Sequence, residues 1–179
     1  WYIGFESINQ ENIEIIGKKT NIAEKYIDAV KKIHDYGMIV IGSFIFGFDG
    51  DTKDVFRLTD DFVQVSEIDT PSAHILTPYP GTPVYKKFDQ EGRILTKDWT
   101  KYNLENVVFQ PKNMQTWELR DYTLDLHKKW YKISNIAKRS IRGANYGINT
   151  FLYNIGANIY YKIVEFKDVS FEPFENSTE

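Results

Sequence analysis

Short apolar runs alternate with amphipathic stretches through the first ninety residues, and this alternation predicts consecutive strand–helix units built on a parallel sheet. Strands are expected at Tyr2–Phe5, Met38–Phe46 and Ala73–Thr77. Between the first two, a short helix over Gln10–Ile16 ends at Gly17, and a longer one places Tyr26, Ile27, Val30 and Ile33 on one stripe, with Gly37 at the left-handed C-terminal cap. After the second strand Val55, Leu58, Phe62 and Val65 recur at helical spacing, with Asp51 where an N-cap would stand. After the third, Thr82 and Pro83 open a short helix that Gly92 closes.

Beyond Gly92 the pattern changes. Residues 93–115 read as an irregular connector with one extended run at Val107–Phe109. A long helix then follows from Thr116 to about Arg139, carrying Leu119, Tyr122, Leu126, Trp130, Ile133 and Ile136 at helical spacing, and a second covers Tyr146–Val164. The division is therefore 1–92 for the strand–helix part, 93–115 for the connector, 116–170 for a helical C-terminal region and 171–179 for a frayed, acidic tail. Three parallel units fit either an open doubly wound sheet or half of a barrel. In both, ligands gather at the carboxyl ends of the strands.

Composition narrows the function classes. A length of 179 residues with 42% hydrophobic content supports a real core, and a net charge of -3 with dispersed lysines gives no footprint for nucleic acid. The sequence contains no apolar run that reads as a membrane span, which points to a soluble, cytoplasmic protein. No cysteine is present, so thiolate metal sites, cysteine nucleophiles and cysteine-held iron–sulfur clusters have no ligand in this chain. The three histidines lie too far apart in sequence to form a helical metal pair, and no catalytic or metal-ligating residue stands out. Phosphate-loop, dinucleotide and nucleophile-elbow motifs are also missing.

Chemistry is concentrated where the strands end. Glu6 and Ser7 close the first, Asp49 and Asp51 follow the second, and Thr77 with Tyr79 follows the third; parallel neighbours would bring all of them to one rim. Asp51 can be read as a helix cap or a ligand group, and Gly47 as a bend or a point of close backbone approach to a ligand. The C-terminal aromatics Trp117, Trp130, Tyr131, Phe151, Tyr153, Tyr160 and Tyr161 can be core or the lining of an apolar channel.

Three blocks, "GFES", "AVKKIHDYGMIVIGSFIFGFDGDT" and "ILTPYPGTP", resemble the second half of the radical S-adenosylmethionine (SAM) enzyme barrel, most closely the subgroup with an N-terminal cobalamin-binding domain. The resemblance implies an α/β fold of three parallel strand–helix units, half of a TIM-like barrel, followed by a mainly helical region like the C-terminal extension of hopanoid methylases. It implies that Glu6 and Ser7 contact the amino acid or ribose part of SAM. Ser43, Ile45, Gly47 and Asp51 fall on the family's G-x-I-x-G-x-x-x-E strand, which supports the adenine, with serine in place of the first glycine and aspartate in place of glutamate. Leu76 and Thr77 fall on the sixth strand, whose backbone lies against the adenine.

The family's [4Fe–4S] cluster needs three cysteines in C-x-x-x-C-x-x-C. The reading is therefore a C-terminal fragment of a cobalamin-dependent radical SAM enzyme, a possible methyltransferase acting on a small molecule, inactive alone and lacking the N-terminal half of the same protein. Alternatives from other classes are a non-catalytic small-molecule-binding or interaction domain, and a self-contained enzyme using Glu6 with Asp49 or Asp51 as acid and base. Cutting a barrel exposes strand edges, so homo-oligomers through Tyr2–Phe5 or Ala73–Thr77 are expected.

Overall fold

The computed structural model of the protein describes residues 1–18 and 20–164. The expected tail at 171–179 lies outside them. The elements run β1 (Tyr2–Glu6), α1 (Gln10–Ile15), α2 (Tyr26–Asp35), β2 (Ile41–Phe46), α3 (Asp54–Val65), β3 (Thr70–Ile75), α4 (Pro83–Gln90), α5 (Thr116–Trp130), α6 (Ile133–Gly143) and α7 (Ile148–Val164). The strands form one parallel sheet in the order β1-β2-β3. This is the expected α/β arrangement followed by a helical region.

One face of the sheet is packed by α2 and α3 through aromatic rings. Phe5 meets Tyr26 edge-on at 4.7 Å, Phe44 meets Phe62 at 6.0 Å and Phe46 stacks on Phe56 at 4.8 Å. Gly42 belongs to this face, since a Cβ there would stand 3.0 Å from both Ile68 and Phe5. Strand alternation turns Gly4, Ser43, Ile45, Ser72 and His74 to the opposite face, where Gly4 lies beside Ser43, Ser43 beside Ser72 and Ile45 beside His74.

Several elements differ from the pattern-based reading, each for a physical reason. β2 starts at Ile41, not Met38: Gly37 turns the chain at φ 70, and Met38 donates to the Ile33 carbonyl at 3.3 Å before pairing begins. β3 occupies Thr70–Ile75 instead of Ala73–Thr77. Pro71 discourages a strand assignment, but its nitrogen lies on the side away from β2, where no ladder bond is lost. On that same side Tyr131 donates its hydroxyl to the Pro71 carbonyl at 2.8 Å and Ile75 N–H reaches the Leu104 carbonyl at 2.7 Å. The β3 edge, expected to be open, is thus satisfied at both positions within the chain.

The single long helix expected from Thr116 to Arg139 is two helices. Tyr131 is pinned by its bond to Pro71, and Lys132 is extended at ψ 138. The orphaned carbonyls at the end of α5 are met by Asn135 Nδ2 on Lys129 at 2.7 Å and by Arg139 on Trp130 at 2.8 Å. α7 likewise begins at Ile148, after Gly147 at φ 119, and not at Tyr146. On α3 the buried stripe is Val55, Phe56, Thr59, Asp60 and Val63, leaving Leu58 and Val65 exposed. The rotation follows from Asp60, which accepts from Trp130 Nε1 at 3.0 Å and Lys129 Nζ at 2.6 Å and so turns α3 toward α5.

α6 and α7 are fastened to the sheet at the amino ends of the strands. Asp69, just before β3, bonds through Oδ2 to His34 and to Val40 N–H, each at 2.8 Å, and through Oδ1 to Asn154. Asn158 donates to the Asp69 carbonyl at 3.0 Å and accepts from Arg139. Every member is buried and partnered, as a buried polar network must be. Near this end Trp1, Ile39 and Ile41 line an open groove of about 740 Å³ with Leu152, Tyr153 and Tyr160 of α7. Of the C-terminal aromatics, Trp130 and Tyr131 are core, whereas Trp117, Tyr153 and Tyr160 are exposed. Among the described residues no helix is long and apolar enough to cross a membrane.

Candidate functional site

At the carboxyl ends of the strands, two loops are tied together by a residue the sequence did not single out. Asn12, wholly buried on α1, donates through Nδ2 to Ser7 Oγ at 3.2 Å and to Asp51 Oδ1 at 2.7 Å. Ser7 Oγ also accepts the Asn9 N–H at 3.0 Å. Asp51 Oδ2 accepts the N–H groups of Gly47 and Phe48 at 2.9 and 3.0 Å, closing the turn after β2. Ser7 and Asp51 are therefore brought together, as expected, but through Asn12.

Asp51 is not a helix cap. The N-cap position of α3 is Lys53, and it makes no side-chain cap bond. Burial pushes the Asp51 carboxyl up to about 6, against the lowering influence of its bonds from Gly47, Asn12 and Phe48. Asp49 behaves differently. Burial works to raise its pKa, but Lys87 at 2.6 Å and Arg93 at 2.8 Å outweigh that and hold it below the usual carboxylate range, with Lys112 at 3.3 Å. Both aspartates are engaged in building the loop, which leaves the acid–base pairing of Glu6 with either of them without a poised partner.

Gly47 sits at φ 106, a conformation suited to glycine. A Cβ there would fall 2.8 Å from Leu119 and 3.1 Å from Phe109, so the close approach its bare backbone permits is to α5 and the connector. Thr77 is buried, with its hydroxyl on the Ile75 carbonyl at 3.2 Å, and Leu76 continues the β3 ladder through its N–H to Phe46 at 2.9 Å.

The opposite sheet face carries Ser43, which is buried, and Ile45, which is half-buried, with Glu6 at the end of β1 beside it. Glu6 has φ 65 and an ion pair to Lys18. Beside Ile45 lies His74, whose Nε2 is 2.8 Å from Ser72 Oγ. Burial lowers its pKa, opposed by the charge of Glu6. His127 on α5 is lowered to about 4 by burial and by His74. Both imidazoles are neutral at pH 7. The site thus presents a carboxylate paired with an ammonium, a hydroxyl and a neutral imidazole on one face. Lys18, Asn12 and His74 were missed from the sequence; the i, i+2 spacing of Ser72 and His74, matched to Ser43 and Ile45, was the available signal for the last. Among the described residues no three of His, Asp and Glu form a metal-binding group, and without cysteine the residues present do not fit a [4Fe–4S] cluster.

No protein-family model matches the chain. Individual proteins do. The chain is 35% identical over 137 residues to the bacteriochlorophyllide d C-12(1)-methyltransferase of Chlorobaculum tepidum, an alignment covering 76% of the chain and 30% of that protein. It is 37% identical over 109 residues to the bacteriochlorophyllide d C-8(2)-methyltransferase of the same organism, covering 60% and 24%. These relatives are methyltransferases. A hopanoid C-2 methylase of Rhodopseudomonas palustris is 23% identical over 117 residues, covering 65% of the chain and 22% of the methylase. The chain spans about 30% or less of the length of these relatives.

Proposed function

We propose that the chain is part of a cobalamin-dependent radical SAM methyltransferase, in which it supplies the second half of the barrel and one wall of the SAM pocket. The observation that carries this reading is the 35% identity with a methyltransferase over 76% of the chain. In such an enzyme the [4Fe–4S] cluster supplies reductive cleavage of SAM; its cysteines, and the cobalamin-binding domain, would come from the remainder of the longer protein. The role of this chain's residues is binding and orientation. Glu6 offers a carboxylate to a cationic or hydroxyl-bearing part of SAM, and Ser43 and Ile45 offer a hydroxyl and an apolar wall. Leu76 and Thr77 present backbone beside them, and the Ser7–Asn12–Asp51 linkage holds the loops around Gly47 in place.

In the intact protein, β1 would pair with a strand of the first barrel half. Alone, the chain would associate through that edge, and light scattering showing a clean monomer at high concentration would count against it. A small-molecule substrate and a cytoplasmic setting accord with the reading. The test is the coding sequence preceding Trp1. A C-x-x-x-C-x-x-C some 50–90 residues upstream, estimated from about 30 residues per strand–helix unit, is expected. A stop codon shortly before a start at this position would refute the proposal.

A further inference from the structure

The two helices that close the chain are built inside out. On α7 the buried positions Thr150, Asn154 and Asn158, spaced four apart, carry polar groups, and each is satisfied within the chain: Thr150 on the Gly37 carbonyl at 3.0 Å, Asn154 on the Asp69 carboxylate and Asn158 on the Asp69 carbonyl at 3.0 Å. The opposite side holds Ile148, Leu152, Ile159 and Ile163, flanked by Tyr153 and Tyr160, all between 46% and 72% exposed. A surface helix ordinarily presents these faces the other way round. α6 repeats the inversion, burying Arg139 and Ser140 while Ile133 and Ile141 stand exposed. Lys162 is the single charged residue of α7. Gly156 lies at mid-helix, where glycine is unfavourable relative to alanine, and the fold does not demand it: a Cβ there would meet no atom within 4 Å.

We infer that the outward face of α7 is a two-fold interface whose occupant is a second copy of the chain, the two α7 helices crossing antiparallel at Gly156. Sequence symmetry favours that occupant. Leu152 and Tyr160 stand four residues to either side of Gly156, and Tyr153 and Ile159 three, so a two-fold axis through Gly156 sets apolar residues of one copy against apolar residues of the other. The bare glycine at the crossing point lets the two backbones approach closely. The area is sufficient. At roughly 200 Å² for a whole residue of this size, the six α7 residues, with Trp1 across the adjoining groove, expose on the order of 900 Å², against about 800 Å² buried by each partner of a standard stable interface. Charge points the same way, because duplicating this face brings no like charges to its centre. A lipid surface would instead call for lysines and arginines on an exposed polar face, whereas the polar face of α7 is buried and the net charge of the chain is -3. The interface is separate from the β1 edge and from the SAM reading.

Light scattering from micromolar to submillimolar concentration should show a dimer in Tyr2→Lys, whose charged β1 edge opposes strand pairing, as well as in the parent chain. In the Tyr2→Lys background, Gly156→Leu should weaken dimerisation about tenfold or more by filling the crossing point. Its urea midpoint at low concentration should not fall, because the added side chain meets nothing in its own chain. Leu152→Glu with Ile159→Glu should weaken dimerisation about a hundredfold or more, since carboxylates would be buried without partners. The absence of cysteine lets the register be read directly. Leu152→Cys mixed with Tyr160→Cys should give a disulfide-linked dimer under mild oxidation. Neither should link alone, because like positions would lie roughly 12 Å apart along the crossed helices, beyond disulfide reach. A monomeric Tyr2→Lys chain, a dimer that survives the α7 variants, or self-linking of Leu152→Cys would overturn the inference. A monomer that floats with vesicles of phosphatidylcholine and phosphatidylglycerol would overturn it too, giving the face to lipid. None of these outcomes touches the SAM reading.

Discussion

Asp51 gives the sharpest test of how the rim is built, because its buried carboxyl changes charge inside an accessible pH range. Its pKa rises from 3.8 unfolded to about 6 in the fold, a gap worth about 3 kcal/mol. The sign follows from which state protonates first. Between about pH 6 and pH 4 the folded chain holds a proton on Asp51 that the unfolded chain does not, so this group adds stability as the pH falls through that window and withdraws it as the pH rises. Asp51→Asn removes the titration. The asparagine carbonyl can still accept from Gly47 and Phe48, and its Nδ2 can donate to Asn12 if that amide turns over. Turning presents Asn12 Oδ1, the atom now buried without a partner.

Urea unfolding of both proteins from pH 7 to pH 4 measures the effect. The stability of Asp51→Asn minus that of the parent should fall by about 2.4 kcal/mol across this range, most of the full gap. Taking the difference cancels His127, whose depressed pKa works the other way: its unfolded imidazole protonates first, so acidification from about 6.5 toward 4 costs stability. Asp51→Ala, which leaves two backbone N–H groups without an acceptor and Asn12 Nδ2 with Ser7 Oγ alone, should be about 3 kcal/mol or more less stable than Asp51→Asn at pH 7. A difference curve that is flat with pH would refute the account of a charged, desolvated tie between the loops.

Other predictions follow from the same geometry. Gly47→Ala must accept both φ 106 and a contact of 2.8 Å to Leu119, so it should cost about 2–4 kcal/mol in urea unfolding, and adding Leu119→Ala should recover part of the loss in a double-mutant cycle. Asp69→Ala removes the shared acceptor of His34, Val40 and Asn154. It should cost about 3 kcal/mol or more, with hydrogen exchange in α6 and α7 accelerated before exchange in β2.

The units that place the rim could be read from the sequence wherever local rules are strong. Apolar runs bounded by turn residues marked β1 and β2, Thr82 and Pro83 marked the start of α4, and glycines at 37 and 92 marked helix ends at φ 70 and 67. The reading failed where a distant partner decides the outcome. Pro71 is tolerated because its nitrogen faces the edge, and a helix breaks at Tyr131 because its hydroxyl is called to β3. α3 buries Asp60 because Trp130 and Lys129 supply donors. The site shows the same division. Glu6, Ser7 and Asp51 are conspicuous polar residues at strand ends. Asn12 and Lys18 sit in a helix and a turn that read as ordinary surface, and only the folded register brings them to the rim.

The central claim is that the carboxyl ends of this sheet form one wall of a SAM pocket. The most direct measurement is a ¹H–¹⁵N spectrum of the chain during titration with S-adenosylhomocysteine. The account predicts shift changes concentrated at Glu6, Ser7, Ser43, Ile45 and Thr77, saturating together. Changes confined to α6 and α7, or no change at millimolar ligand, would contradict it.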